Sequence, residues 1–192
     1  MSEEKRPYRK KRRAELEDET RLRITESAVA LHGSLGPSRT SMSAVAEHAG
    51  VRRSTLYRHF PDEEALFDAC SAHWRAANPR PELAEWAGIE DPDARLRAAL
   101  EAMYAYYRRT EGMIGNLLRD LELPVVAPRM AAFLEYLEPI RSALLRGRPR
   151  RRAVRAAIGH ALAFTTWRSL ARDQQLDDRQ AAELMCRLVA AA

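Results

Sequence analysis

Ser41-Met42-Ser43-Ala44-Val45-Ala46-Glu47-His48-Ala49-Gly50-Val51, followed directly by Arg52-Arg53-Ser54-Thr55-Leu56-Tyr57-Arg58-His59-Phe60-Pro61, is the stretch that decides the fold. Ser41 is a side chain that can cap a helix, and Met42, Val45, Ala46 and Ala49 then fall on one helical face. Gly50 stops that helix where a left-handed residue is wanted. The next run predicts a second helix from about Arg53 to His59, with Leu56 and Phe60 turned inward. A small residue for close approach, a glycine for the tight turn and an apolar plug behind the following helix make a helix-turn-helix spacing. That geometry turns Arg52, Arg53, Ser54, Thr55 and Arg58 outward, where they can reach base edges or phosphates in a major groove.

The pattern stays helical on both sides. Upstream, Ile24, Ala28, Leu31 and Leu35 share one face of a helix that ends near the Gly36-Pro37 breaker. Downstream, Pro61 is expected to open a helix with Asp62, Glu63 and Glu64 in its first turn. Further stripes predict one helix through Leu96, Leu100, Met103, Tyr104 and Tyr107, a separate short one around Met113, Leu117 and Leu118, and one through Met130 to Leu145 kinked at Pro139. A long helix over about Arg151–Arg172 and a last one through Ala181, Leu184, Met185, Leu188 and Val189 complete an all-α chain. Alternating apolar and polar runs of the strand kind are missing.

Charge separates the two ends of the chain. Residues 1–60 hold 13 Lys and Arg against 8 Asp and Glu, whereas residues 61–192 hold 19 of each, so the net charge of +5 is entirely N-terminal. A basic module on a balanced body suits a polyanion binder, since neutralised phosphates release counterions. Lys5 to Arg13 carries seven basic residues in nine and no apolar period. It reads as a flexible basic arm over residues 1–19, able to put Lys10, Lys11, Arg12 and Arg13 on phosphates or in a minor groove. A charged N-terminus where a secretory signal would be apolar, two cysteines and no long apolar run suit a cytoplasmic chain without a membrane partner.

The residues quoted above, together with Glu64-Ala65-Leu66 and back to Ile24 and Ala28, resemble the tetracycline-repressor (TetR) family of bacterial regulators over about residues 20–70. The resemblance implies a homodimer with an N-terminal three-helix DNA-binding domain (residues 20–66) and a C-terminal helical effector-binding and dimerisation domain (67–192). It implies DNA contacts from Ser41, Arg53, Thr55, Tyr57 and His59, the last two on phosphates. Four positions depart from the family pattern. Arg52 stands where a capping Ser is usual, so the reading helix is expected to start late or fray, or Arg52 to serve a phosphate. Glu63 replaces a phosphate-binding Lys and is expected to complement a helix dipole instead. His32 and Pro37 occupy positions that are often aromatic.

By the same resemblance the last two helices form the dimer interface, with Ile158, Leu162, Leu184 and Leu188 as its candidates, and small Ala157, Gly159 and Ala161 allow close approach. Met103, Tyr107, Met113, Leu117, Phe133, His160, Phe164 and Trp167 are candidates to line an effector pocket. Tyr107, His160, Thr165 and Trp167 would supply a few hydrogen bonds to a small, largely apolar or neutral ligand. The function implied is a dimeric repressor that reads an inverted repeat in double-stranded DNA and is released by that ligand. The alternative is an architectural or adaptor DNA-binding protein whose C-terminal helices hold a protein partner. No catalytic group, metal site or cofactor is expected: there is no phosphate-cradling glycine loop and no nucleophile elbow, and Cys70 with His73 lacks further ligands.

Overall fold

The computed structural model describes the backbone of residues 5–192 and side chains from residue 11 onward, and every described element is helical. The chain forms two compact units: residues up to 79 with 115–128, and residues 80–114 with 129–192.

In the first unit, α1 (Lys5–Ser34) packs against α2 (Met42–His48) and α4 (Glu63–Ala77), and α2 against α3 (Arg53–His59). The core is what the periodicity asks for: Ile24, Ala28, Val45, Ala46, Leu56, Phe60, Leu66 and Phe67 are buried. Ser41 caps α2 by accepting from the Ala44 N–H at 3.1 Å, and Gly50 makes the turn with φ +64° while Val51 N–H reaches back to the Ala46 carbonyl at 2.9 Å. Three expectations change. Residues 5–19, read as an arm without structure, continue α1. Pro7 sits in the first turn, where its missing N–H costs nothing, and Arg13 pairs with Glu17 at 3.1 Å one turn on. Asp62 precedes α4 and does not lie within it, accepting from the Ala65 N–H at 2.8 Å. The reading helix does not start late: α3 begins at Arg53 although Arg52 makes no side-chain cap.

A short turn of 3-10 helix, Pro37–Arg39, joins α1 to α2. The last carbonyls of α1 are met by side chains from residues 115–120. Asn116 Nδ2 donates to the His32 and Gly33 carbonyls at 3.0 and 2.8 Å, and Arg119 Nη2 donates to the Leu35 carbonyl at 2.8 Å. Asp120 accepts the Ser38 N–H at 3.0 Å and pairs with Arg119 at 3.0 Å. Burial alone would raise the Asp120 carboxyl, but the bonds from Arg119 and Ser38 hold it below the usual carboxylate range.

The second unit holds α5 (Ala84–Ala87), most of α6 (Pro92–Arg119) and of α7 (Ala127–Leu145), then α8 (Arg152–Ala161), α9 (Phe164–Arg168) and α10 (Asp178–Ala190). The segment around Met113 and Leu117 is the continuation of α6, and Pro139 lies inside α7. The long helix expected over Arg151–Arg172 is broken at Leu162-Ala163 and ends in a π-helical turn, Ser169–Asp173. The break has a cause in side chains distant in sequence. Tyr104 and Tyr107 hydroxyls donate to the Ala161 and Leu162 carbonyls at 2.8 and 2.6 Å, while Thr166 and Trp167 N–H both turn to the Ala163 carbonyl. Carbonyls that an unbroken helix would bond four residues on are thus taken from outside.

Candidate functional site

Helix α3 has a buried side and a charged side. Leu56 and Phe60 are fully buried, and the opposite face carries exposed Arg52, Arg53, Ser54, Arg58 and Tyr57, the last 40% exposed. Thr55 and His59 sit half-buried at its edges, and Ser41 is exposed at the start of α2. The Arg53 guanidinium lies 5.8 Å from the Tyr57 ring centre, a contact that keeps both side chains on one outward strip. Arg21 of α1 fastens the far end of the helix: its Nη1 donates to the His59 carbonyl at 2.7 Å, and its guanidinium lies 4.2 Å over the Phe60 ring. A cation there also meets the negative end of the α3 dipole.

The imidazole of His59 has a buried Nε2 without a partner. Burial first, and the positive Arg58 and Arg21 next, hold its pKa below the ordinary histidine value, so near neutral pH it presents a neutral ring. Lys11, Arg12 and Arg13 are exposed on the N-terminal turns of α1, and the Lys10 side chain lies outside the described residues. Arg21 was not singled out in the sequence. Its signal was a basic residue one turn before the apolar stripe at Ile24 and Ala28, which spacing alone does not distinguish from a solvated charge.

In the second unit the aromatic candidates come together around Tyr107. Its ring centre is 5.4 Å from Phe164, 5.9 Å from Trp167 and 6.4 Å from Phe133, and all four side chains are buried, as is Met103. Tyr104, Tyr106 and Tyr136 join this cluster although they were not predicted, and the Arg80 guanidinium lies 5.0 Å from the Phe133 and 4.9 Å from the Tyr136 ring centres. Burial pushes the Tyr107 hydroxyl far above its usual range and Tyr136 up to about 12, so both stay protonated. Met113 is half-buried, and Leu117 belongs to the first unit. The expected polar handles are engaged with the protein. Tyr107 bonds Leu162, Trp167 Nε1 donates to Asp178 at 2.8 Å, His160 is exposed against Thr166, and Thr165 is exposed.

The four dimer candidates divide. Ile158 and Leu162 are 0% and 1% exposed within the single chain, in the core of the second unit, and leave no surface for a second copy. Leu188 is 51% exposed and Leu184 half-buried on α10, which opens with a capping box between Asp177 and Gln180. Cys70 Sγ lies 3.5 Å from His32 Nδ1. Among the described residues no group of three or more His, Cys, Asp or Glu is placed to hold a metal, and no helix is long and apolar enough to cross a membrane.

Residues 24–70, which hold α2, α3 and the facing halves of α1 and α4, match the model of the tetR family of bacterial regulatory proteins. Two uncharacterized HTH-type transcriptional regulators, from two strains of Mycobacterium tuberculosis, are 29% identical over 127 residues. The match covers 61% of this chain and spans 62% of the relatives' length. Among solved structures, a TetR-like transcriptional regulator from Rhodococcus sp. RHA1 superposes with a TM-score of 0.65 at 19% identity, covering 89% of this chain and 93% of that one. NalD, the secondary repressor of the MexAB-OprM multidrug efflux pump in Pseudomonas aeruginosa, does so with a TM-score of 0.60 at 21% identity, covering 91% and 96%. At these identities the likeness is one of fold.

Proposed function

We propose that this chain, whose residues 24–70 match the model of the tetR family of bacterial regulatory proteins, is a member of that family and a dimeric repressor that reads an inverted repeat in double-stranded DNA and is released by a small, largely apolar or neutral effector. The observation that carries the DNA reading is the outward strip of α3. Arg52, Arg53 and Arg58 stand there without an acidic partner, on a helix held by Leu56 and Phe60 behind and by Arg21 at its end. Such a strip supplies phosphate neutralisation from the guanidinium groups and base contacts from Arg53, Ser54 and Thr55. Ser41, Tyr57 and His59 serve as hydrogen-bonding groups to the flanking phosphates, and Lys11, Arg12 and Arg13 extend the basic surface along α1.

Met103, Tyr107, Phe133, Phe164 and Trp167 form the effector core in this reading, and what supports an apolar ligand is that their rings converge while their polar atoms are already bonded within the chain. Two copies associate through α10, where Leu188 leaves apolar surface uncovered. The chain works in the cytoplasm, with DNA.

The experiment uses a duplex obtained by selection and the double variant Leu184→Glu/Leu188→Glu. Mass by light scattering and DNA affinity by titration are followed on the same sample, with circular dichroism as the check of folding. The expected variant is a folded monomer that no longer holds the full inverted repeat. A monomer that binds the full repeat undiminished overturns the two-reader mechanism, and a dimer moves the interface off α10.

A further inference from the structure

The connection from α7 to α8 holds a feature that neither DNA reading nor the aromatic core uses. Residues 146–155 contain six arginines and no acid. Arg146, Arg148, Arg150, Arg151, Arg152 and Arg155 all line one open groove of about 610 Å³, and no carboxylate lies among its lining residues.

The groove is built into the fold. Buried Arg95 donates Nε to the Ala143 carbonyl at 3.1 Å and Nη2 to the Arg146 carbonyl, tying the end of α7 to the start of α6. Arg146 donates to the Ala87 carbonyl. The Arg148 side chain is only 8% exposed: Nη2 donates to the Pro92 carbonyl at 2.7 Å and to Asp93 at 2.8 Å, and its Nε is buried with no acceptor. Arg150, Arg151, Arg152 and Arg155 are exposed, and their guanidinium groups make no hydrogen bond or ion pair with the described residues. At the same place α8 begins after Arg151, which offers no side-chain cap to the first N–H groups of the helix. Burial first, and then the fields of Arg146 and Arg148, lower the Arg95 pKa.

Like charges packed this closely repel unless an anion joins them, and guanidinium forks match phosphate oxygens two at a time. A single phosphate carries at most about two negative charges, too few to balance the groove. The volume lies inside the roughly 300–1,000 Å³ range of small-molecule sites, and a concave wall with one guanidinium sunk into it suits a compact ligand better than the convex flank of a duplex. We propose that this groove binds a soluble molecule bearing two or more linked phosphates, such as the diphosphate of a nucleotide. The site is confined to the second unit, so it stands independently of how α3 reads DNA.

The test titrates the full chain with inorganic pyrophosphate and with ADP by calorimetry at about 0.15 M salt. It repeats this with Arg151→Gln/Arg155→Gln, a change at two exposed positions, and with Arg148→Gln. Both probes are expected to bind the unaltered chain, and the exposed double variant to bind them at least about tenfold more weakly with an unchanged melting temperature. If Arg148→Gln fails to fold, the exposed pair carries the test alone. Absence of binding by both probes overturns the proposal, as does a double variant that binds as tightly as the parent. Sulfate displacing pyrophosphate at equal concentration reduces the groove to a general anion surface. A random-sequence duplex that needs Arg151 and Arg155 and is not displaced by pyrophosphate makes it a nucleic-acid contact. Either result also overturns the proposal.

Discussion

Arg21 Nη1 donates to the His59 carbonyl at 2.7 Å, so a side chain from the first helix closes the C-terminus of α3, the proposed DNA-reading helix. The same guanidinium covers Phe60, which anchors that helix to the core. Replacing Arg21 by Met keeps the aliphatic stem and removes the donor. Because the residue is exposed, the loss of stability should be modest, about 1 kcal/mol, with a loss of similar size in operator binding. Thermal melts and DNA titrations on one preparation measure both. Unchanged values in both would mean that the bond does not organise α3.

Arg53 and Tyr57 share the outward strip of α3, both exposed. Arg53→Ala and Tyr57→Phe should each weaken binding to the cognate site by roughly 1–3 kcal/mol while the melting temperature stays put. Two variants of undiminished affinity would move the reading surface off α3.

Gly36 joins α1 to the following turn with φ +95° and ψ 160°, a conformation that side chains rarely adopt. A Cβ there would overlap the Arg119 guanidinium and stand 2.8 Å from the Asp120 carboxylate. Arginine ends usually move aside, but this one is held by the Leu35 carbonyl, Asn116 and Asp120. Gly36→Ala should therefore cost about 2–3 kcal/mol in urea unfolding. A loss under about 0.5 kcal/mol, the size of an ordinary surface change, would show that the residue 116–120 latch is slack.

His32 is buried against Phe67 and Cys70, and burial lowers its pKa to about 4 from 6.5. The unfolded chain therefore takes up a proton at a pH where the folded chain does not. Stability is complete above about pH 6.5 and is lost as pH falls toward 4, by about 3 kcal/mol over that window for this group. Denaturant melts between pH 7 and pH 4.5 should fall more steeply for the parent than for His32→Phe, which keeps a ring on Phe67 and cannot protonate. Equal slopes would assign the acid sensitivity to other groups.

Helices α2 and α3 were legible because their signals are local. A Ser cap, Gly50 and apolar residues at helical spacing act within one or two turns, and α2 and α3 follow them closely. What was not legible depends on partners far along the chain. The break at Leu162-Ala163 carries no Pro or Gly; it exists because Tyr104 and Tyr107 take two carbonyls more than fifty residues away. Residues 5–19 were read as unstructured from their charge, although Glu-Leu-Glu and i, i+4 ion pairs favour continuing the helix. Averaging hid the arginine groove: 19 basic and 19 acidic residues cancel over positions 61–192 while six of the basic ones stand together.

The most direct measurement of the central claim, that α3 makes this chain a sequence-specific DNA reader, is selection of bound duplexes from a random library. The full chain and the full chain carrying Arg53→Ala with Tyr57→Ala are run side by side. The unaltered chain is expected to enrich one motif with two-fold related halves, and the double variant, still folded, to enrich none. Failure of the unaltered chain to enrich any motif, or enrichment of the same motif to the same extent by the variant, would contradict it.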